Sequence, residues 1–422
     1  MAKEPVATNL DGWLDAYADR TAELSVSEVR ALFAVVSRPE VVSLAGGMPY
    51  VKALPQELLI KSFNTMMRDR GNLAMQYSGG QGDETLRDQI RELMALEGIK
   101  SSVEDITLTT GSQHGLELVA GLFLNPGDVV LAEGPSYVGA LGIFKHYQAE
   151  ISHIYTDDDG ISPEALSERI ASLRRAGKKI KFLYLVPNFA NPSGVTLSKT
   201  RRAKVLEICR KNHILVLEDN PYGLLYFDKP TPNALRSLDE DGVIYFGSFS
   251  KILVPGFRVG YVLAPPAIRQ KLVLAQESAI LCPSAFSQMM ISEYLANSDW
   301  QKQISIFRDV YKVRRDAALA AIKQFLPKLA TTKPGGGFYL WVKLPEGIDS
   351  KAMLPVAVKN LVAYTPGTAF YGDGTGQDYL RICYSYPTPE DIRVGISRLA
   401  SVINLQTELL DTFGTTTNKR GK

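Results

Sequence analysis

The chain has 422 residues, a formal net charge of +2, 45% apolar and 22% charged residues, the balance of an ordinary globular protein long enough for one larger and one smaller unit. That balance gives no support to nucleic-acid or lipid binding, which call for clustered basic charge. No run approaches the roughly 18 apolar residues of a membrane span, and Cys209, Cys282 and Cys383 show neither metal-ligand spacing nor a disulfide framework.

The opening M-A-K-E-P-V-A lacks an apolar leader, so a cytoplasmic location is expected. A short amphipathic stretch, D-G-W-L-D-A-Y-A-D-R, precedes S-V-S-E-V-R-A-L-F-A-V-V, which reads as a helix with a serine start. V-V-S-L-A-G-G-M-P (41–49) reads as a short strand ending in paired glycines, which let backbone approach a ligand closely. Residues 83–97 read as a helix with acidic residues in its first turn, where the helix dipole favours them. In D-I-T-L-T-T-G-S-Q-H-G (105–115) an apolar alternation ends at Thr110, Gly111 makes the turn, and Ser112 and Gln113 open a helix. The free N–H groups of such an N-terminus make an anion site. His114, one residue on, reads as packing, and the four histidines have no ligand spacing, so no metal is expected. G-D-V-V-L-A-E-G-P-S-Y (127–137) is a strand whose following loop presents Tyr137.

The most informative region is 181–264. Its four stretches are K-F-L-Y-L-V-P-N-F-A-N-P-S-G-V, H-I-L-V-L-E-D-N-P-Y, V-I-Y-F-G-S-F-S-K and G-F-R-V-G-Y-V-L. Each is a short apolar run, and the first three end in polar residues. Buried strands of a parallel sheet read this way, and ligands of open α/β sheets sit beyond their carboxyl ends. Those ends deliver Asn191, Asp219 with Tyr222, and Ser248, Ser250 and Lys251, followed by Arg258, which reads as buried. Between the first two runs lies an apparent helix, 198–212, with Cys209 as a buried small side chain. Past 264 come helices at 264–278, 284–296 and 301–326. A glycine-rich turn then feeds a strand at 334–344, and further strands are expected at 362–370 and 379–386.

Together these groups meet the needs of pyridoxal phosphate. A lysine amine forms a Schiff base with its aldehyde. A carboxylate at the pyridine nitrogen keeps the ring an electron sink. An amide and a phenol bond the ring oxygen, and serines with a forked guanidinium hold the phosphate.

Seven motifs carry a resemblance: S-L-A-G-G-M-P (43–49), Q-Y-S-G-G-Q-G (76–82), T-G-S-Q-H-G (110–115), N-P-S-G (191–194), E-D-N-P-Y (218–222), S-F-S-K-I-L-V-P-G-F-R-V-G-Y (248–261) and L-R-I-C-Y-S (380–385). In register over nearly the whole catalytic body, they resemble the class I/II aminotransferases of fold type I, closest to the 2-aminoadipate and kynurenine branch. The resemblance implies an α/β fold with a mostly parallel seven-stranded sheet between helices and a smaller α+β domain. The divisions expected are an arm at 1–50, a large cofactor-binding domain at 51–295 and a small domain at 296–422. It implies Lys251, Asp219 and Tyr222 as catalytic residues. Ser112, Gln113, Tyr137, Asn191, Ser248, Ser250 and Arg258 would complete the cofactor site, with Tyr77 reaching the partner's cofactor in a homodimer. Gly47, Asn191 and Arg381 would meet the substrate, Arg381 gripping its α-carboxylate.

The activity implied is transfer of the amino group of an L-α-amino acid (2-aminoadipate, aromatic or branched-chain type) to a 2-oxo acid such as 2-oxoglutarate. A carbon–sulfur β-lyase on the same fold is the alternative. An effector-sensing domain of a transcription regulator is a second, for which the 25-residue arm supplies no helix-turn-helix. Some relatives use an arginine on the N-terminal helix to meet a distal carboxylate, which makes Arg30 a candidate beside its plain reading as a solvent-facing arginine. The segment P-Y-V-K-A-L-P (49–55) departs from the commoner pattern, so Tyr50 and Lys52 are candidates for altering the substrate pocket.

Overall fold

The computed structural model describes residues 12–24 and 38–413. The helix read at 25–36, with Arg30, lies outside the described residues. The central sheet is built from β2 (Ile106–Thr109), β3 (Val129–Gly134), β4 (Glu150–Asp157), β5 (Gly160–Ile161), β6 (Ile180–Leu185), β7 (Leu215–Asp219), β8 (Val243–Ser248) and β9 (Gly260–Leu263), after a two-residue β1 (Val42–Ser43). Its order is β2-β9-β8-β7-β6-β3-β4-β5. The pairs from β8 through β4 are parallel, whereas β9 runs antiparallel to β8 and to β2. Seven strands were expected and eight form. The extra one is a two-residue edge strand that turns back on the end of β4, pairing Thr156 with Ile161 and Asp157 with Gly160.

The apolar runs are strands because both faces of this sheet are covered. Successive side chains alternate sides. Phe182, Tyr184, Leu217, Ile244 and Phe246 point into one core, and Leu183, Leu185, Val216 and Val243 point into another. Each fully buried side chain of this size contributes about 1.5–3 kcal/mol, so a register slip that exchanged the faces would be strongly opposed.

Several of the helices start where the sequence supplies a side-chain cap. In chain order the helices are α1 (Gln56–Ala74), α2 (Glu84–Ala95), α3 (Ser112–Phe123), α4 (Val138–His146), α5 (Pro163–Arg175), α6 (Lys199–Lys211), α7 (Pro266–Ile280), α8 (Ala285–Asn297), α9 (Trp300–Phe325), α10 (Ser350–Lys359) and α11 (Pro389–Phe413). The Asp83, Ser162, Ser284 and Asp299 side chains accept from backbone N–H groups of the first turns of α2, α5, α8 and α9. Cys209 is buried on α6.

The C-terminal part holds β10 (Tyr339–Lys343), β11 (Val362–Ala363), β12 (Thr365–Pro366) and β13 (Tyr379–Cys383). β13 lies between β10 and β12, antiparallel to both, and β1 pairs parallel with β11. The strand expected over 362–370 is divided at Tyr364, where the pairing passes from β1 to β13, and Gly367–Phe370 then tightens into a 3-10 turn. α9 serves two cores: Ile304, Phe307 and Tyr311 pack with the central sheet, Ala318 and Ile322 with β10 and β13.

The chain leaves β5 and returns to β6 on the far side of β3, so the strand order reverses between β3 and β6. Crevices at such a switch point are where α/β sheets bind ligands. Tyr137 follows β3 and Asn191 follows β6.

Candidate active site

The carboxyl ends of β3, β6, β7 and β8 open onto a cavity of about 940 Å³. Twelve residues singled out from the sequence line it: Gly47, Ser112, Gln113, Tyr137, Asn191, Asp219, Tyr222, Ser248, Ser250, Lys251, Arg258 and Arg381. Asp219 ends β7 and is 3% exposed. Tyr184 of β6 donates to its Oδ2 at 2.8 Å, while Oδ1 is buried with no hydrogen-bond partner among the described residues. Burial pushes this carboxyl up to about 6, against the pull of the Tyr184 bond and the Lys251 charge. A buried acceptor left unpaired costs about 1–3 kcal/mol, so Oδ1 calls for a donor from a ligand.

Lys251 follows β8, and its Nζ donates to the Gly47 carbonyl at 3.0 Å. Desolvation pulls the ammonium down to about 8; Arg381 and Arg258 add to this, while Cys383 and Asp219 oppose it. An amine held there is neutral far more often than a surface lysine, and the neutral form is the nucleophile.

Opposite, Gly111 (φ +78°) caps α3 and presents the amides of Ser112 and Gln113. Arg258, left-handed at φ +53°, donates to Ser250 Oγ at 3.2 Å. A Cβ on Gly111 would fall 2.4 Å from Arg258 Nη2, so the glycine keeps open a cradle of helix amides, hydroxyls and guanidinium suited to a dianion. Arg258 is exposed at the cavity mouth rather than buried as its apolar neighbours suggested, because its left-handed backbone turns it out of the core. Tyr137 donates to Gln113 Oε1 at 3.2 Å, which fixes the phenol beside this cradle.

Arg381 sits on β13 and is 2% exposed. Its Nη1 donates to Asn191 Oδ1 at 2.7 Å, and Nη2 donates to the Ala45 carbonyl and to Thr365 Oγ1. The guanidinium carbon lies 4.3 Å from the Tyr339 ring centroid and 4.8 Å from that of Phe370. A fork clamped between two rings suits bidentate carboxylate recognition.

The family model for aminotransferase class I and II matches residues 40–399. The chain belongs to the class I and II aminotransferases. It is 39% identical to aromatic-amino-acid aminotransferase 1 of Thermococcus litoralis, over 92% of this chain and 94% of that one. It is 33% identical to 2-aminoadipate transaminase of Thermus thermophilus, over 93% and 97%. The crystal structure of Pyrococcus horikoshii kynurenine aminotransferase superposes with a TM-score of 0.90 at 38% identity, covering 94% of this chain and 99% of that one. This is the fold type I architecture. The protein is a pyridoxal-phosphate-dependent aminotransferase, and the lyase and regulator alternatives give way to that reading.

The residues of this aminotransferase fit the cofactor by two independent observations. The orphaned Asp219 Oδ1 awaits a donor such as a pyridinium N–H, and the space a Gly111 Cβ would fill lies between helix amides and Arg258. Three residues weighed from sequence are not at this cavity. Tyr77 is 77% exposed and lies on a separate surface depression with Met75, Ile280 and Phe286. Lys52 is exposed, and Tyr50 is tied to α9, its N–H donating to Tyr311 Oη at 2.9 Å while Arg314 lies 3.8 Å over its ring. Conversely, Tyr184, Tyr339, Thr365 and His146 were not singled out for the site. Tyr339 and His146 line the cavity, and the other two anchor Asp219 and Arg381. The only sequence signal for them is a hydroxyl or ring inside an apolar run, which is common in any core.

Behind the aminotransferase cavity runs a buried relay. Arg202 donates to Asn188 Oδ1 at 2.5 Å, Asn188 to Asn220 Oδ1 at 2.9 Å, and Asn220 to Glu97 Oε1 at 2.6 Å; Tyr245 donates to Glu97 Oε2 at 2.5 Å. A donor-only guanidinium at one end and a carboxylate at the other fix both amide orientations. The relay ties the loop carrying Asn191 to the loop carrying Asp219 and Tyr222. Burial pushes Glu97 up to about 7, the Tyr245 and Asn220 bonds resisting. Since the folded value exceeds the unfolded one near 4.5, the linked stability is complete below pH 4.5 and is lost as pH rises through about 7. Between pH 5 and 8 the wild type is therefore expected to lose on the order of 3 kcal/mol more than Glu97→Gln. Urea midpoints of both proteins at the two pH values check this, and parallel pH slopes would refute it.

Proposed function

We propose that this aminotransferase moves the amino group of L-α-amino acids with aromatic, branched or 2-aminoadipate-type side chains to a 2-oxo acid, 2-oxoglutarate being the first choice. The observation that carries the reading is the lining of the cavity. Beyond Lys251, Arg258 and Arg381, the described residues around it include Leu24, Met48, Val138 and Ile143. An apolar wall of this kind favours a large apolar side chain. The relatives named for aromatic amino acids, kynurenine and 2-aminoadipate support the same class.

In this reading Arg381 binds the α-carboxylate as a fork, steadied by Asn191, Thr365 and the Ala45 carbonyl. Gly47 leaves room beside it. Lys251 would hold the cofactor through its amine, which in its neutral form would serve as general base and then, protonated, as general acid. Asp219 would accept at the cofactor's ring nitrogen through Oδ1, Asn191 and Tyr222 would bond its ring oxygen, and Tyr137 would cover its ring. Ser112, Gln113, Ser248, Ser250 and Arg258 would receive its phosphate. When bound, pyridoxal phosphate supplies the electron sink for the charge left at Cα.

The protein is proposed to act in the cytoplasm as a homodimer, with 51–295 as its cofactor-binding part and 296–422 as its smaller part. Phe63, Leu73, Met75, Ile280 and Phe286, exposed around Tyr77, form the apolar surface that supports a second copy. Among the described residues no helix is long and apolar enough to cross a membrane.

Single-turnover absorbance tests the substrate class. L-phenylalanine, L-kynurenine, L-2-aminoadipate, L-leucine and L-alanine are added in turn to the purified holoenzyme. Several of the large donors are expected to bleach the cofactor band, with kcat/KM at least about tenfold above alanine, and 2-oxoglutarate is expected to restore it. Conversion confined to one amino acid, or to alanine, refutes the proposal.

A further inference from the structure

The Tyr222 and Tyr339 hydroxyls share a hydrogen bond of 3.2 Å at the cavity wall, their rings edge to face at 5.9 Å and 88°. Both residues line the cavity and both are almost wholly buried. Tyr339 also touches the other end of the site. Its Oη lies 2.2 Å from where a Gly47 Cβ would stand, and its ring faces the Arg381 guanidinium. Resting on the assignment of Tyr222 to the ring oxygen, we propose that Tyr339 is a positioning residue whose hydroxyl donates to Tyr222 and so turns the Tyr222 proton into the cavity.

The argument is a proton inventory. Two neutral hydroxyls carry two protons, and the shared bond consumes one. The other belongs to whichever hydroxyl accepts, and it points to a third acceptor. Which phenol donates is decided by what surrounds each hydroxyl. Burial pushes both phenols up and the Arg381 cation opposes this at each, so both hydroxyls keep their protons. On its far side the Tyr339 hydroxyl meets the Gly47 backbone, where a Cβ would stand only 2.2 Å away, so in this proposal its proton goes to Tyr222, whose own proton faces the cavity that Tyr222 lines. A hydroxyl that accepts one bond donates more strongly through its own proton, so Tyr339 strengthens the bond from Tyr222 to an anionic ring oxygen. That bond stabilises the deprotonated form of the lysine-linked chromophore and lowers its titration midpoint.

Tyr339→Phe, Tyr222→Phe and the double variant test this in the holoenzyme by the pH midpoint of the visible cofactor band. Melting curves of the cofactor-free proteins and their dissociation constants for pyridoxal phosphate are measured alongside. Tyr222→Phe is expected to raise the midpoint. Tyr339→Phe should raise it in the same direction by roughly 0.3–0.7 unit, with a melting curve close to wild type. The double variant should coincide with Tyr222→Phe, since Tyr339 acts through that hydroxyl. A midpoint unmoved by Tyr339→Phe, or a double variant showing the sum of the single shifts, overturns the proposal while leaving the Tyr222 assignment intact. A midpoint unmoved by Tyr222→Phe overturns that assignment and this proposal with it.

Discussion

Replacing Lys251 by alanine is expected to cut turnover by roughly 10⁴-fold or more, the upper range for a positioned acid–base group, and to remove the lysine-linked absorption band altogether. Two properties of the site place the effect on this residue. The amine is held against the Gly47 carbonyl at the end of β8, and desolvation has brought it down to about 8. Among the described cationic side chains lining the cavity, the others are guanidiniums and His146; an arginine stays protonated at any working pH and cannot take a proton from carbon. Lys251→Arg should therefore be nearly as inactive as Lys251→Ala. Both variants should still bind pyridoxal phosphate through the Arg258 and Ser112 cradle, with dissociation measurable by dialysis. The pH dependence follows from the same value. Only the neutral amine attacks an aldehyde, so the rate at which cofactor-free wild type takes up pyridoxal phosphate should rise with pH and level off above about 8. Retained turnover in Lys251→Arg would remove the residue from its proposed role.

The sheet and the cavity-lining groups were legible because they follow from local pattern. Buried parallel strands are apolar throughout, and the polar residue that ends each run has nowhere to sit except the crevice. Asp219 and Ser248 end their strands for that reason, and Lys251 lies just beyond one. Helix boundaries near 84, 199, 266, 285 and 300 were likewise legible from caps and prolines. What escaped depends on which residues meet across the fold. Tyr184 is one more ring in K-F-L-Y-L until β6 and β7 align and its hydroxyl reaches Asp219. Tyr339 becomes part of the site only when β10 lays it across Gly47, a residue 292 positions away by the numbering. Arg258 illustrates the opposite error: apolar neighbours suggested burial, whereas a left-handed backbone, invisible to composition, turns the side chain to the cavity mouth. The strand expected over 362–370 divides at Tyr364, where the pairing passes from β1 to β13, a change of partner that no local pattern shows.

Asp219→Asn is expected to slow the first half-reaction by about 10²–10³-fold while changing the fold little. Asparagine is isosteric, and its amide oxygen can keep the 2.8 Å bond from Tyr184 Oη. What changes is the free end. The carboxylate Oδ1, buried and unpartnered, is an acceptor waiting for a charged donor, whereas the amide –NH₂ offers hydrogens to a ring nitrogen that must then be unprotonated. Breaking a buried charge pair by removing one member costs about 3–5 kcal/mol, and each 1.4 kcal/mol is about tenfold in rate. The loss should fall on the chemical step more than on binding, since in the proposed assignment Arg258, Ser112 and Gln113 would hold the phosphate end independently of Asp219. Rapid-mixing absorbance with a good donor separates the two: the limiting rate drops by the full factor while the dissociation constant for pyridoxal phosphate rises much less. Asp219→Ala gives the complementary control. It removes the carboxylate and opens space at the ring nitrogen, so a cofactor methylated there, permanently cationic, should recover part of the rate that ordinary pyridoxal phosphate cannot. If the methylated cofactor gives no recovery, or Asp219→Asn turns over at the wild-type rate, then the charge at that nitrogen is not what Asp219 provides. The unpaired oxygen would then belong to the packing of β7 rather than to the chemistry.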